Sequence, residues 1–548
     1  VYVSASNFSL CFSCAKNDGA LSPSGRMGFN EFNDDLMDQI IYRGEGNSSI
    51  VVAIKNRSKV IRLLKKDGKI MRTSQDHHVT QHPMRSIKFI HLIMKPLTSP
   101  YLSDATQLVH LKSDFINMLS KKVEVERPSH RLDKTLHLDD QYALVMDDLC
   151  TLPDHLIRHF NEVDFSGPTI SVEIKPKQGF LLPTHRSLMR SSINDQMTAI
   201  MKGSCLYGLN QNMKLARGRI KETSNYCPIN LFSGCPIKME SALEALLRNP
   251  QNNLRIFKNL GLAYDESNHL ISDLFKCNSL NNDPCCATAE RSYNHDKERL
   301  IKLLIQCLLS EPSPGGENHV RGTNDTTIMN YGKDSENLFT STSTCVGDFC
   351  EQHSSSIPNC KRCDIHQMKK HKPKLVPGNP SHQLPRNCVL ASVLRAQRLD
   401  SIGAFEARHM LEWLLEHANQ SEEKPDILEE LSTPQVPTGF GHPCQLPTES
   451  KRDYYFRKVW EFLVSLTAKD CSIIITIRKI ANGRCETMLR QEPGIVNNLL
   501  REKETGDHFM FSVGIADLDQ KMPLKIMRIC DNLNQIMMQT KESKNIKS

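Results

Sequence analysis

Val172-Glu173-Ile174-Lys175-Pro176-Lys177-Gln178-Gly179-Phe180 is an apolar run that ends on two ammonium groups two residues apart, with a proline between them. A strand alternates its faces with period two, so an extended chain through this stretch puts Lys175 and Lys177 on one side. Pro176 has no N–H and suits a strand end better than a central ladder, while Gly179 permits a tight turn. Two fixed cations at a strand end make a place for an anion such as phosphate. A surface strand with two solvated lysines is the plainer alternative, and the rest of the chain decides between them.

Composition narrows the function classes. The chain has 548 residues, 39% of them hydrophobic and 6% aromatic, and carries a formal net charge of +7. That length admits two or more domains. No apolar run approaches the roughly 20 residues of a membrane span, which predicts a soluble globular protein. The modest net charge with locally basic segments fits a confined polyanion site, and no basic stretch interleaved with aromatics points to nucleic acid. Nineteen cysteines, an odd number scattered through apolar segments, predict reduced thiols and an intracellular protein of the cytoplasm or nucleus. Residues 1–38, rich in Ser, Asn, Asp and Gly, predict a poorly ordered extension. Its Cys11-Phe12-Ser13-Cys14 patch lacks the basic flank of a signal peptide.

The pattern beyond residue 38 predicts two lobes. An N-lobe, 39–150, has strands at Ser49–Ile54, Lys59–Leu64 and Tyr142–Met146, and helices around Phe89–Met94 and Asp104–Lys122. A C-lobe, 151–548, has the K-P-K strand, helices near Ser192–Leu215, Lys238–Arg248, Val389–Ala418 and Asp453–Leu466, and strands at Ser472–Ile477 and Phe509–Ile515. The polar tract 311–387 has no sustained periodicity and predicts a long flexible insertion. No internal repeat is present.

Other constellations bear on chemistry. Tyr42-Arg43-Gly44-Glu45-Gly46-Asn47 places two glycines at a strand-to-strand turn, where backbone N–H groups can approach phosphate oxygens; an ordinary hairpin turn explains it equally well. Arg62 closes the next strand and supplies one cation, in the order seen in protein kinases. Asp470, in Thr467-Ala468-Lys469-Asp470-Cys471-Ser472, lies between a helix and the apolar Ile473-Ile474-Ile475, where a carboxylate can accept a hydroxyl proton or merely form a turn. Ile515-Ala516-Asp517-Leu518-Asp519 ends another strand, and carboxylates there suit a Mg²⁺ ion bridging triphosphate oxygens. Lys521 and Lys525 follow at helical-turn spacing. Pro250-Gln251-Asn252-Asn253-Leu254-Arg255, with Arg127, Arg131 and Lys214, adds amides and cations that can surround a small, heavily phosphorylated molecule.

These segments, in this order, resemble the inositol pentakisphosphate 2-kinase family. The resemblance covers about residues 40–310 and 388–535, and rests most specifically on Glu173-Ile174-Lys175-Pro176-Lys177 with Gly179-Phe180, and on Ala468-Lys469-Asp470-Cys471-Ser472. It implies an α/β (α+β), two-lobed kinase-like fold that binds nucleotide between the lobes and inositol mainly in the C-lobe. The implied reaction is ATP- and Mg²⁺-dependent phosphorylation of the 2-hydroxyl of inositol 1,3,4,5,6-pentakisphosphate, giving the hexakisphosphate, by a monomer. Matched by position, Gly44, Glu45, Gly46, Asn47, Arg62 and Glu173 would hold ATP, with Asp147 and Asp148 in a hinge beside adenine. Asp470 would be the base and Asp517 the Mg²⁺ ligand. Arg131, Lys175, Lys177, Lys214, Asn252, Arg255, Lys521 and Lys525 would hold substrate phosphates, Lys175 touching the transferring group as well.

The family pattern is not kept throughout. Asn210 stands four residues before Lys214 where the family has histidine, Lys525 and Ile529 replace an arginine and a tyrosine of plant members, and Asp67 falls where a cation is expected. Substrate selectivity is therefore open, including a kinase for a less phosphorylated inositol or a non-catalytic inositol-phosphate-binding scaffold. Plant members carry a structural zinc. Two ligand sets are candidates here: Cys360, Cys363, His366 and His371, by their spacing, or His409, His442 and Cys444. Free thiols in a flexible loop are the alternative to the first.

Overall fold

The computed structural model describes residues 34–46, 48–55, 57–66, 77–102, 106–139, 141–181, 205–265, 274–275, 289–312, 383–418 and 426–545. The expected N-terminal extension up to residue 33, Asn47, Asp67 and nearly all of the polar tract lie outside them. Two antiparallel sheets organise the rest, giving the mixed α/β class the sequence predicts.

The first sheet has strand order β1-β2-β3-β5-β4, from β1 (Ile40–Glu45), β2 (Ser49–Ile54), β3 (Lys59–Leu64), β4 (Gln107–Leu111) and β5 (Gln141–Asp147). Alternation fixes its faces. Ile61 and Leu63 of β3 are fully buried with Val52, Leu111 and Val145, against Phe115, Ile116 and Leu119 of helix α1 (Ser113–Glu124). Arg62, between them, faces the other way, toward the second sheet. The expected helix over Asp104–Lys122 is instead strand β4 followed by α1. The β-branched and leucine-rich Gln107–Leu111 run suits a strand, and Ser113 starts the helix.

The second sheet runs β10-β11-β9-β6-β7-β8, from β6 (Phe165–Ile174), β7 (Leu254–Lys258), β8 (Gly261–Tyr264), β9 (Ser472–Ile480), β10 (Leu499–Arg501) and β11 (His508–Ala516). Ile170, Val172 and Ile174 of β6 and Ile473, Ile475 and Ile477 of β9 point into the largest core. That core is closed by helices α2 (Leu206–Ala216), α3 (Pro236–Arg248), α4 (Ala289–Leu309), α5 (Val389–Gln397), α6 (Ala404–Ala418), α7 (Lys451–Asp470) and α8 (Lys525–Asn545). The expected single helix Val389–Ala418 is broken at Arg398–Gly403, where Gly403 takes φ +78°.

The polar face of this sheet anchors the segment between the sheets. Thr476 Oγ1 donates to the Leu149 carbonyl at 2.7 Å, and Ser171 Oγ donates to that of Cys150 at 2.9 Å. Gly514 makes room for Leu149, since a Cβ there would lie 2.7 Å from its Cδ2. No helix among the described residues is long and apolar enough to cross a membrane.

Candidate active site

Strand β6 stops at Ile174, so the two lysines lie beyond it and strand alternation does not place them. Lys177 instead adopts φ +60°, a left-handed conformation that costs a non-glycine residue about 1–3 kcal/mol. The surrounding structure holds it there. Asn253 O accepts from Lys175 N–H at 2.9 Å, the buried Tyr226 hydroxyl donates to Pro176 O at 2.7 Å, and Gln397 Nε2 donates to Lys177 O at 2.8 Å. The two ammonium groups consequently reach different carboxylates. Lys175 Nζ donates to Asp517 Oδ2 at 2.7 Å, while Lys177 Nζ lies 3.4 Å from Asp470 Oδ1.

Asp470 is the last residue of α7 and leads straight into β9. Its other oxygen accepts from Lys521 Nζ at 2.9 Å, with Lys525 Nζ at 4.0 Å. Burial pushes this carboxyl upward, but Lys521, Lys177 and Lys525 outweigh it and hold the group well below the usual range. Helix α8 starts only at Lys525, so Lys521 precedes it and the expected helical-turn spacing does not apply.

Asp517 follows β11 with φ +60°. Burial would raise its carboxyl, yet Lys175, Arg62 and the Ser472 hydroxyl bring it down to about 2. The Ser472 hydroxyl lies 2.9 Å from Asp517 Oδ2 and 2.7 Å from Glu173 Oε1. Glu173 faces Arg255 across the β6–β7 ladder and accepts from its Nε at 2.8 Å. Burial and neighbouring cations depress the ammonium groups of Lys177 and Lys525, burial being the larger cause in both. Lys175, Lys177, Lys521, Lys525, Arg62 and Arg255 thus crowd around Asp470, Asp517, Glu173 and Asp519, an imbalance that an anion relieves.

Both sheets contribute to this site. Arg62 Nη1 donates to Asp519 Oδ1 at 2.8 Å in a two-pronged pair, and its Nε donates to Ser49 Oγ at 3.1 Å. Gly44 takes φ +150°, a backbone conformation that residues with a side chain rarely adopt, and a Cβ there would lie 2.8 Å from the guanidinium end of Arg255, at Nη1.

Several sequence expectations need correction. Gly44 and Glu45 belong to β1, which bulges between Tyr42 and Gly44; the turn begins at Gly46, whose N–H donates to Ser49 O at 2.9 Å. The Glu45 carboxylate is 1% exposed, gripped by Arg127 at 2.9 and 3.0 Å and paired with Lys65, so its oxygens are already engaged within the protein. Asp148 pairs with Arg43 and accepts from Cys150 N–H at 2.9 Å, making it a clamp on the chain between the sheets; Asp147 pairs with Lys59. Arg131 ends a short 3-10 turn, Lys214 lies 6.0 Å from the Tyr207 ring centre, and Asn252 is exposed before β7. The ion pairs at Asp470 are made by Lys177, Lys521 and Lys525.

The metal expectations divide. Mg²⁺ typically takes one or two protein carboxylates and completes its shell with phosphate and water, so the ionised, half-exposed Asp517 fits such an ion. For zinc, Cys360, Cys363, His366 and His371 lie outside the described residues. Among the described residues no group of three or more His, Cys, Asp or Glu is placed to hold a metal. Zinc at His409, His442 and Cys444 is therefore not supported. His442 Nδ1 is engaged by the Cys444 backbone, at 3.0 Å from O and 3.3 Å from N, and the His409 ring lies edge-on to Tyr455. That loop is tied instead by the buried Arg457, which donates to the carbonyls of His442 and Cys444 and to Glu449.

Sequence reasoning missed Ser472, Tyr226 and Gln397. Ser472 stands two residues from Asp470, which it did single out; nothing in the local pattern marks the other two. Asp519, read with Asp517 as a metal carboxylate, is instead paired with Arg62.

Residues 42–529 match the family model described as inositol-pentakisphosphate 2-kinase. The chain is similar to the inositol-pentakisphosphate 2-kinase of Danio rerio, 30% identical over 498 residues that cover 88% of each protein. It is 25% identical to that of Drosophila melanogaster over 52% of this chain and 56% of the relative. With the Arabidopsis thaliana enzyme of the same name it shares 31% identity over 40% of this chain and 51% of that one. With a family match across most of its length and the paired Lys175–Asp517 and Lys177–Asp470 sites at its centre, the chain belongs to the inositol-pentakisphosphate 2-kinase family.

Proposed function

We propose that this kinase transfers the γ-phosphoryl group of ATP to the 2-hydroxyl of inositol 1,3,4,5,6-pentakisphosphate, giving the hexakisphosphate and ADP. The observation that carries the substrate reading is the cluster of Lys175, Lys177, Lys521 and Lys525 around Asp470 and Asp517. An inositol ring bearing five phosphates supplies the anions this cluster lacks, and its lysines would exchange carboxylate for phosphate as it binds.

Asp470, freed from Lys177 and Lys521, then accepts the hydroxyl proton. The inositol oxygen bonds to the γ-phosphorus as the bond from phosphorus to the β–γ bridging oxygen breaks, and ADP departs with that electron pair. Lys175, paired with Asp517, would neutralise the transferring group. Asp517 would hold Mg²⁺, which when bound neutralises β- and γ-phosphate oxygens. Arg62 and the turn at Gly46 would hold the triphosphate, with adenine beside Met146–Leu149. This divides the chain into a nucleotide lobe over 39–150 and an inositol-phosphate lobe after it. Substrate contacts by Arg131, Lys214, Asn252 and Arg255 belong to the same proposal, as do a monomeric state and action inside the cell. Buried thiols such as Cys307 and Cys471 suit a reducing compartment.

The test is phosphate transfer from labelled ATP to inositol 1,3,4,5,6-pentakisphosphate, with products separated by charge and Asp470→Asn run alongside. Hexakisphosphate from the wild type and a loss of about 10²–10⁴-fold in the variant is the expected result. Tight binding without transfer would favour a scaffold, and faster transfer to a less phosphorylated inositol would shift the substrate.

A further inference from the structure

Gln397 ends helix α5 with its side chain wholly inside the protein, 0% exposed. All three hydrogen bonds of its amide go to main chain. Nε2–H groups donate to Lys177 O at 2.8 Å and Ala468 O at 3.2 Å, and Oε1 accepts from Gly179 N–H at 2.8 Å. One partner belongs to the left-handed Lys177, another to the turn beyond it, and the third to the last turn of α7, two residues before Asp470. A carboxamide with two donors and an acceptor is the uncharged group that satisfies this set. A second tie joins the same two ends: Lys469 Nζ donates to Asp400 Oδ2 at 2.5 Å, just after α5.

A buried glutamine that only filled the core would be replaceable by an apolar residue of equal volume. Here its bonds span the two backbone segments that carry Lys177 and Asp470. We propose that Gln397 is a positioning residue for phosphoryl transfer, holding Lys177 in its left-handed conformation and fixing the K-P-K turn to the helix end that carries the base. This rests on the roles given to Lys177 and Asp470 under the proposed function. Removing the amide frees Lys177 to relax and lets the substrate cation drift relative to Asp470. A misplacement of about 1 Å costs on the order of 10²-fold in rate, while the nucleotide side is untouched.

The experiment compares full-length wild type, Gln397→Met, Gln397→Asn and Asp470→Asn. Initial rates are measured against each substrate at saturating levels of the other, well below the lowest melting midpoint. Gln397→Met keeps length and volume and removes all three bonds; kcat is expected to fall about a hundredfold, with KM for ATP within about twofold of wild type. A folded variant with wild-type kcat overturns the proposal. So does a parallel change in kcat and both KM values, which marks a purely structural role. If the Met variant does not fold, Gln397→Asn is judged by the same criteria, and failure of both to fold overturns the proposal, because the amide then serves the core. An active wild type with an inactive Asp470→Asn and an unimpaired Gln397→Met sinks only the role of Gln397. A wild type that makes no hexakisphosphate sinks the proposed function and this role with it.

Discussion

Asp470 is contested by three ammonium groups, and its behaviour follows from which of them lets go. Lys521 makes the shortest of these contacts, at 2.9 Å, and is the cation best placed to move from base to substrate phosphate. Lys521→Met should raise KM for inositol pentakisphosphate about ten- to a hundredfold, the worth of a charge-assisted hydrogen bond at about 1.5–3 kcal/mol, with KM for ATP little changed. Steady-state kinetics with each substrate varied checks this. Asp517 permits a second prediction, at acid pH. A carboxyl lowered in the folded protein adds stability above its unfolded value and loses it as pH falls through the folded one. For Asp517 that interval runs from 3.8 to about 2. The ligand-free protein should lose stability across this window, and Asp517→Asn should flatten that part of the curve, read from urea midpoints at stepped pH.

Element geometry explains what the sequence made legible. Lys175, Lys177, Asp470 and Asp517 each break an apolar strand or end a helix, and a charge in that position is visible in one dimension. Glu45 was equally visible but its partner was not, because Arg127, which grips it, stands 82 residues further on. Gln397 was invisible, since an uncharged residue near the end of an amphipathic helix looks like any other. Strands β2 and β3 match the pattern closely because Ile50, Val52 and Ile54 of one and Ile61 and Leu63 of the other alternate into the same core. Arg457 in α7 illustrates an element whose purpose only packing reveals. Fully buried, it holds the 442–449 loop through two carbonyls and Glu449, and Glu461 in turn accepts from Gly441 N–H at 2.7 Å. Arg457→Leu leaves Glu449 and Glu461 buried without this partner and should cost about 3–5 kcal/mol, measured by denaturant unfolding.

At the scale of the molecule, the site lies where two sheets approach each other, bridged by Arg62–Asp519, by Arg43 donating to the Leu260 carbonyl and by the Gly44–Arg255 contact. A polyanion in such a cationic cleft should bind with marked salt dependence. Affinity for inositol pentakisphosphate, by titration calorimetry, should fall as screening shortens from about 30 Å at 0.01 M to about 8 Å at 0.15 M ionic strength. A flat response would mean that charge does not hold the ligand.

The position of β6 has a consequence for biosynthesis. It lies between β7 and β9, with Ile174 paired to Leu254 on one side and Ile473 on the other. On the ribosome, the strand leading into Lys-Pro-Lys emerges with an unsatisfied edge that β9 closes only about 300 residues later, some 15–60 s at the usual rate of translation. Throughout that interval the nascent chain displays an apolar, hydrogen-bond-hungry edge of the kind that invites mispairing. Expression of this enzyme should therefore depend on chaperone capacity more than its finished stability would suggest.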